Sequence, residues 1–257
     1  MIFAHDTVRV VECLMALGSE EIREQLFAEL KDELIPMAKS KYAYFFVVKM
    51  LKYGSKEQRN LIFKVGTADG VLPPFWPHGR WIYFQALEGK VADLMKHKIA
   101  NNAVEMYYNE VAPARQRNAM LQEFCGPEFR HFKEPELRTV SELIAKHPQK
   151  ERDIVRHLGA YCTTLITKGC YNHSLVHTVL YNYLQVCARP DRPEMIEQLR
   201  EVCLHVLHTH DGSRLSMHAL WHGTPKDRKA ILKSFKGHVV KICTEKQGYL
   251  VGRRRLL

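Results

Sequence analysis

The side chains best suited to chemistry in this 257-residue chain are cationic, and they gather at recurring places. Lys39, Lys41, Lys96, His97 and Lys98 cluster where repeated segments begin, and cations so placed suit contacts to a phosphate backbone, although a solvated charged edge would carry the same residues. The formal net charge is +10. Such an excess suggests a polyanionic partner, because each phosphate contact releases counterions and adds affinity without regard to sequence; a basic protein with no such partner is the plainer alternative. Other chemistry has less support. Cys162, Cys170, His173 and His177 are the one cluster that could mimic a metal site, but their spacing is unlike the short loops of zinc modules, so neither metal nor cofactor is expected. Glu20 and Glu21 open a helix and do not form an acid–base pair. A phosphate loop, GxSxG, HExxH and a dinucleotide fingerprint are all missing from the sequence, so no catalytic residue and no small-molecule substrate are expected.

The elements that would position these residues repeat along the chain. Residues 5–40 align helix for helix with residues 41–97 once the 21 residues from Val65 to Gln85 are set aside, and Gly18 and Gly54 stand 36 apart. A period of that length means stacked helical units, which act through a long face more than through a pocket. The frame starts units at His5, Lys41, Lys98, Cys170 and His210. Each opens on an apolar stripe at helical spacing: Val10, Val11 and Leu14; Val47, Met50 and Leu51; Val104, Tyr107 and Tyr108; Val176, Val179 and Leu180; Leu215, Ala219 and Leu220. All five stripes are expected in the core. Ser19 before Glu20 and Glu21, Ser55 with Gln58 three residues on, and Thr224 before Pro225 read as helix starts.

Residues 1–134 hold three units, with the insertion at 65–85. Residues 135–169 form a divergent helical connector in which Ile154, Val155, Leu158, Tyr161, Cys162, Leu165 and Ile166 share one face. Residues 170–257 supply two further units and the truncated start of another. The insertion carries three prolines, three glycines and two tryptophans and cannot continue a helix. It reads either as an aromatic loop that stacks on bases or, the reading favoured here, as translated intron, because both its ends fall on repeat borders and suit splice sites. The closing Gly252-Arg-Arg-Arg-Leu-Leu reads as a basic tail or as a mis-spliced end. No apolar run approaches a membrane span, no signal peptide opens the chain, and seven cysteines without CxxC point to a reducing compartment.

HDTVRVVECLMALGSEEIREQLFAELKDEL, KYGSKEQRNLIF and SFKGHVVKI resemble Pumilio-homology (PUF) repeats, most of all those of the Puf-A subfamily of nucleolar proteins. The resemblance covers most of residues 5–251 outside the insertion. It implies an all-α, right-handed α-solenoid of PUF-type, armadillo-like repeats, binding to RNA or DNA with little sequence preference, and a part in maturing the large ribosomal subunit. Members that read sequence use two edge-contacting side chains and one stacking side chain per repeat. Those positions carry over to Val8, Arg9 and Glu12; Tyr44, Phe45 and Val48; Asn101, Asn102 and Glu105; His173, Ser174 and His177; and Ser213, Arg214 and Met217. Val8, Val48 and Met217 cannot make the hydrogen bonds that tell bases apart, so no base-by-base code is expected. Arg9, Phe45 and Arg214 could stack on any base. Against that, Arg9 and Arg214 could hold local carboxylates, and core packing is the favoured place for Phe45.

These observations predict an RNA-binding helical-repeat protein, with DNA a further ligand, acting on pre-rRNA or pre-ribosomal particles in the nucleus and nucleolus, or in mRNA regulation. The alternative is a protein-interaction scaffold whose basic solenoid docks acidic partners.

Overall fold

The computed structural model describes residues 3–55, 58–59, 87–248 and 251. The inserted segment Val65–Gln85 and the terminal Gly252–Leu257 lie outside the described residues. Among those residues regular structure is helical throughout, with no strand, and no helix is long and apolar enough to cross a membrane. Contacts divide the chain into two compact units, residues 1–120 with 130–135, and residues 121–129 with 136–257.

The first unit contains α1 (His5–Leu17), α2 (Glu20–Leu30), α3 (Leu34–Lys39), α4 (Tyr44–Tyr53), α5 (Val91–Met95) and α6 (Ala100–Met106). The last of these continues as a π-helical turn, Tyr107–Val111, and an extended Ala112 then separates it from α7 (Ala114–Gln122). The predicted caps are present. Ser19 Oγ accepts from the Ile22 amide at 3.4 Å, and Ser55 and Gln58 close a reciprocal box, with 2.9 Å from the Ser55 amide to Gln58 Oε1 and 3.2 Å from the Gln58 amide to Ser55 Oγ. Packing α4 between α1, α3 and α6 buries Phe46, Val47, Met50 and Leu51 completely. The first stripe departs from expectation. Val8 and Met15 are the buried residues of α1, whereas Val10 is 60 % exposed and Leu14 40 % exposed. No described helix covers that side of α1.

The second unit contains α9 (Val140–Lys146), α10 (Glu151–Thr167), α11 (Ser174–Val186), α12 (Arg192–Leu199), α13 (His210–His222), α14 (Pro225–Ser234) and α15 (Val239–Thr244); the short α8 (Glu128–His131) precedes them. The connector packs within this unit: Ile154, Leu158, Cys162 and Leu165 of α10 are fully buried, and α10 lies against α11. At the head of α13, Thr209 caps the Gly212 amide at 3.0 Å. A Cβ on Gly212 would stand 1.8 Å from the Val206 carbonyl oxygen, so only glycine lets the preceding turn approach this closely. Thr224 and Asp227 form a full capping box on α14, and the Arg200 guanidinium also donates to Asp227. Burial alone would raise the Asp227 pKa, but the hydrogen bonds from Thr224 and Arg200 outweigh it and hold the carboxyl below its ordinary range. All seven cysteines are free thiols; Cys125, Cys162, Cys170, Cys187 and Cys203 are buried, while Cys13 and Cys243 are exposed.

Candidate nucleic-acid interface

In the first unit α1, α4 and the start of α6 line a groove of about 520 Å³. Arg9 and Glu12 come from one wall, Tyr44 and Phe45 from the next, Asn102 from the third, and Lys41 stands at the edge. The repeat frame therefore brings candidate residues from three successive units into one trough. Phe45 corrects the sequence-based expectation of core packing. It is 46 % exposed, and its ring lies 4.0 Å from that of Tyr44 at an interplanar angle of 34°, leaving an apolar face toward solvent. Val8, by contrast, is 1 % exposed and contributes only apolar floor to the groove.

Charge is arranged around this aromatic pair. Partial burial raises the Glu12 pKa, with Lys49, Arg9 and His5 pulling it back. Burial also raises the Tyr44 phenol, and Glu12 adds to that rise. Lys39, Lys41 and Lys98 are exposed, and the Lys41 ammonium sits 5.3 Å from the Tyr42 ring centroid. Lys96 is already engaged, 3.4 Å from Asp93, which also meets Arg130 at 3.0 Å. In the third unit Asn102 is exposed, but Asn101 is only 5 % exposed and cannot present its amide to a base. Glu105 is half-buried and accepts from Asn109 at 2.8 Å.

The candidates of the second unit fare differently. His177 is fully buried, its Nδ1 2.6 Å from Thr209 Oγ1 and its Nε2 2.7 Å from the Tyr171 carbonyl oxygen. Ser213 is buried and donates to the Leu207 carbonyl at 3.0 Å. Both are internal ties between a helix and the turn beside it, so neither meets a ligand in this conformation. His173 is half-buried, with Nδ1 3.3 Å from the Cys170 carbonyl oxygen, and Ser174 is half-buried as well. Arg214 is exposed and lies over the Tyr181 ring at 5.7 Å, a stacking contact where a carboxylate pair was the alternative. Among the described residues no three histidine, cysteine, aspartate or glutamate side chains gather closely enough to hold a metal ion.

Beside Arg214 the sequence concealed a further cluster. Tyr181 and His218 meet edge to face at 5.6 Å, His218 lies 5.6 Å from both Trp221 and His222, and Gln185 Nε2 is 2.9 Å from His218 Nε2. Burial, then His222, Arg192 and Arg214, lower the His218 pKa; burial and Arg192 lower that of His222. The available signal was helical spacing, since His218 and His222 follow Arg214 by four and eight residues along one stripe of α13.

The Pumilio-family RNA binding repeat matches residues 9–31 and 35–65. The human protein named Pumilio homolog 3 is 36 % identical over 97 % of this chain, and the chain spans 35 % of that relative's length. The crystal structure of human Puf-A superposes with a TM-score of 0.82 at 35 % identity, covering 97 % of this chain and 45 % of that one. Human Puf-A has also been solved in complex with DNA; that structure matches with a TM-score of 0.79 at 34 % identity and the same coverage.

Proposed function

The chain belongs to the Pumilio-homology (PUF) repeat family, and from that premise we propose that it binds single-stranded RNA, and DNA as well, largely without regard to sequence. The observation that carries this reading is the groove in which Phe45 and Tyr44 offer an exposed aromatic surface between Arg9 and Lys41. Every base has a π-face, so stacking of this kind tolerates any sequence, and flanking cations follow the phosphate backbone. The relative solved with DNA supports the breadth of the ligand class. Pre-rRNA or a pre-ribosomal particle in the nucleolus is the proposed setting, supported by the resemblance to Puf-A proteins and by the net charge of +10.

Binding of mixed-sequence single-stranded RNA measured across a salt series tests the reading. Replacing Lys39, Lys41 and Lys98 with glutamine removes three exposed charges. At about 0.7 per phosphate contact, the log–log salt slope should fall by roughly 2, equally for unrelated sequences. No binding at low salt, or a loss confined to one sequence, contradicts it. Imaging a fluorescently tagged chain addresses the setting, and uniform cytoplasmic signal contradicts the nucleolar part.

A further inference from the structure

The second unit carries a trough that nucleic-acid binding leaves unused. It lies where α10 meets α12, with the last turn of α11 as its floor. It encloses about 590 Å³, within the roughly 300–1,000 Å³ of pockets that take a small ligand. Small residues on α10 open it. A Cβ on Gly159 would stand 2.9 Å from the Tyr183 ring and 3.0 Å from its hydroxyl, so the ring rests against the α10 backbone, and the neighbouring Ala160 adds only a methyl to the wall. Val155, Val186 and Met195 supply the apolar surface.

The polar groups in this wall are short of donors. Gln198 Oε1 is buried and accepts no hydrogen bond, a costly state for a buried acceptor. Tyr183 is 6 % exposed, and its hydroxyl has no partner among the described residues. Burial first, then Cys187, Cys162 and the carboxylates of Asp191 and Glu194, push the Tyr183 phenol up to about 12, which places both carboxylates within electrostatic reach of it. Glu151 joins them on the rim. All three acids are exposed, and none forms an ion pair among the described residues. The Arg156 guanidinium is taken by Asp153 at 2.7 Å. Three uncommitted carboxylates therefore stand against one uncommitted guanidinium, that of Arg152, in a chain whose net charge is +10.

We infer that this trough docks a basic peptide segment of a partner protein, seated by an arginine whose guanidinium donates to Gln198 Oε1 and pairs with Glu194. Glu194 and Gln198 are four residues apart on α12 and share a face. A guanidinium has five donors and no acceptor, and its planar fork matches a carboxylate. The methylene stem lies along Val155 and Met195, while Asp191 and Glu151 attract cations that flank the arginine. A phosphate backbone would be repelled by the same carboxylates. The trough is also separate from the face that carries Arg214: on α11, Tyr181 and Gln185 meet His218 of α13, whereas Tyr183 and Val186 line the trough. Peptide docking and nucleic-acid binding can therefore fail independently.

Fluorescence anisotropy of the full chain with labelled peptide libraries tests this, using a central arginine among mixed uncharged residues and the same library centred on glutamine or on glutamate. At low salt the arginine library should bind about 10-fold or more tightly than the glutamine library, the factor expected of a hydrogen bond to a charged group, and the glutamate library should bind least. Glu194→Lys, at an exposed site, should remove that preference. Ala160→Trp, also at an exposed site, should fill the trough and abolish peptide binding while leaving the affinity for mixed-sequence RNA unchanged; circular dichroism verifies both folds. No binding, or equal binding of the three libraries, overturns the proposal, as does a preference for arginine that survives both variants. If Ala160→Trp weakens RNA binding in step with peptide binding, the trough is part of the nucleic-acid surface and the proposal is wrong.

Discussion

Replacing Phe45 with alanine separates stacking from charge in the proposed groove. The ring is 46 % exposed, and a large aromatic side chain buries on the order of 200 Å² when fully covered, so roughly 90 Å² remains for a base to cover. At about 25 cal/mol per Å² that surface contributes about 2 kcal/mol, inside the range of roughly 1–3 kcal/mol found for base–aromatic stacking. Binding of mixed-sequence single-stranded RNA should therefore weaken about 5- to 150-fold. Because no charge is removed, the salt slope should not move; the lysine replacements should do the opposite, changing the slope. Fluorescence anisotropy with labelled RNA between about 50 and 200 mM salt resolves both quantities. Phe45→Trp should retain or tighten binding, which distinguishes lost stacking from a disturbed helix. A loss under two-fold in Phe45→Ala, or an altered slope, would refute stacking at this residue.

Gly159→Ala should destabilise the second unit by about 1–3 kcal/mol in chemical denaturation, because the added Cβ would meet the buried Tyr183 ring at 2.9 Å and overpacking outweighs the gain of about 1 kcal/mol in helix propensity; an unchanged midpoint would contradict the packing. Asp227→Ala should cost at least the ~1 kcal/mol of a lost cap. The Asp227 carboxyl is held below its ordinary pKa, so its contribution is present above about pH 4 and is lost as pH falls through the folded value; thermal melts of Asp227→Asn should therefore differ from wild type at neutral pH and converge in acid. His218 and His222 have lowered pKa values, so both are largely neutral at pH 7.5. Their joint replacement by asparagine should leave the salt slope unchanged there, and a shallower slope would show that they carry charge onto the ligand. In the wild type, the same lowered values mean that stability declines as pH falls below about 6.5, where the unfolded histidines take up protons and the folded ones resist.

The helical frame was legible because its signals are local. Ser55 and Gln58, or Thr224 ahead of Pro225, satisfy each other or the first amides of their own helix within three residues, and the interior stripes bury as spaced except at Tyr108, which is half-buried under Arg117. Burial of polar residues was not legible. Ser213 and His177 look like surface groups in the sequence, and what turns them inward is a carbonyl or hydroxyl presented by a turn, at Leu207 for one and at Thr209 and Tyr171 for the other. Phe45 and Val10 failed in the opposite sense. Their apolar character predicts a partner, but whether one exists depends on which helix lies opposite. The Tyr181–His218–Trp221 cluster joins two helices more than thirty residues apart in sequence, and no single helical period contains it.

The uneven distribution of thiols makes the chain its own reporter of opening. The first unit holds Cys13 alone, exposed, whereas five of the six cysteines in the second are buried, and burial pushes the Cys125 and Cys203 thiols up to about 12. A thiolate is the reactive form, so these sulfurs are shielded twice, by steric exclusion and by protonation. Alkylation in native buffer should modify Cys13 and Cys243 at once, after which every further adduct marks a transient loosening of the second unit. The rate of those later adducts, followed by mass spectrometry, gives the free energy of that opening without denaturant or an introduced label.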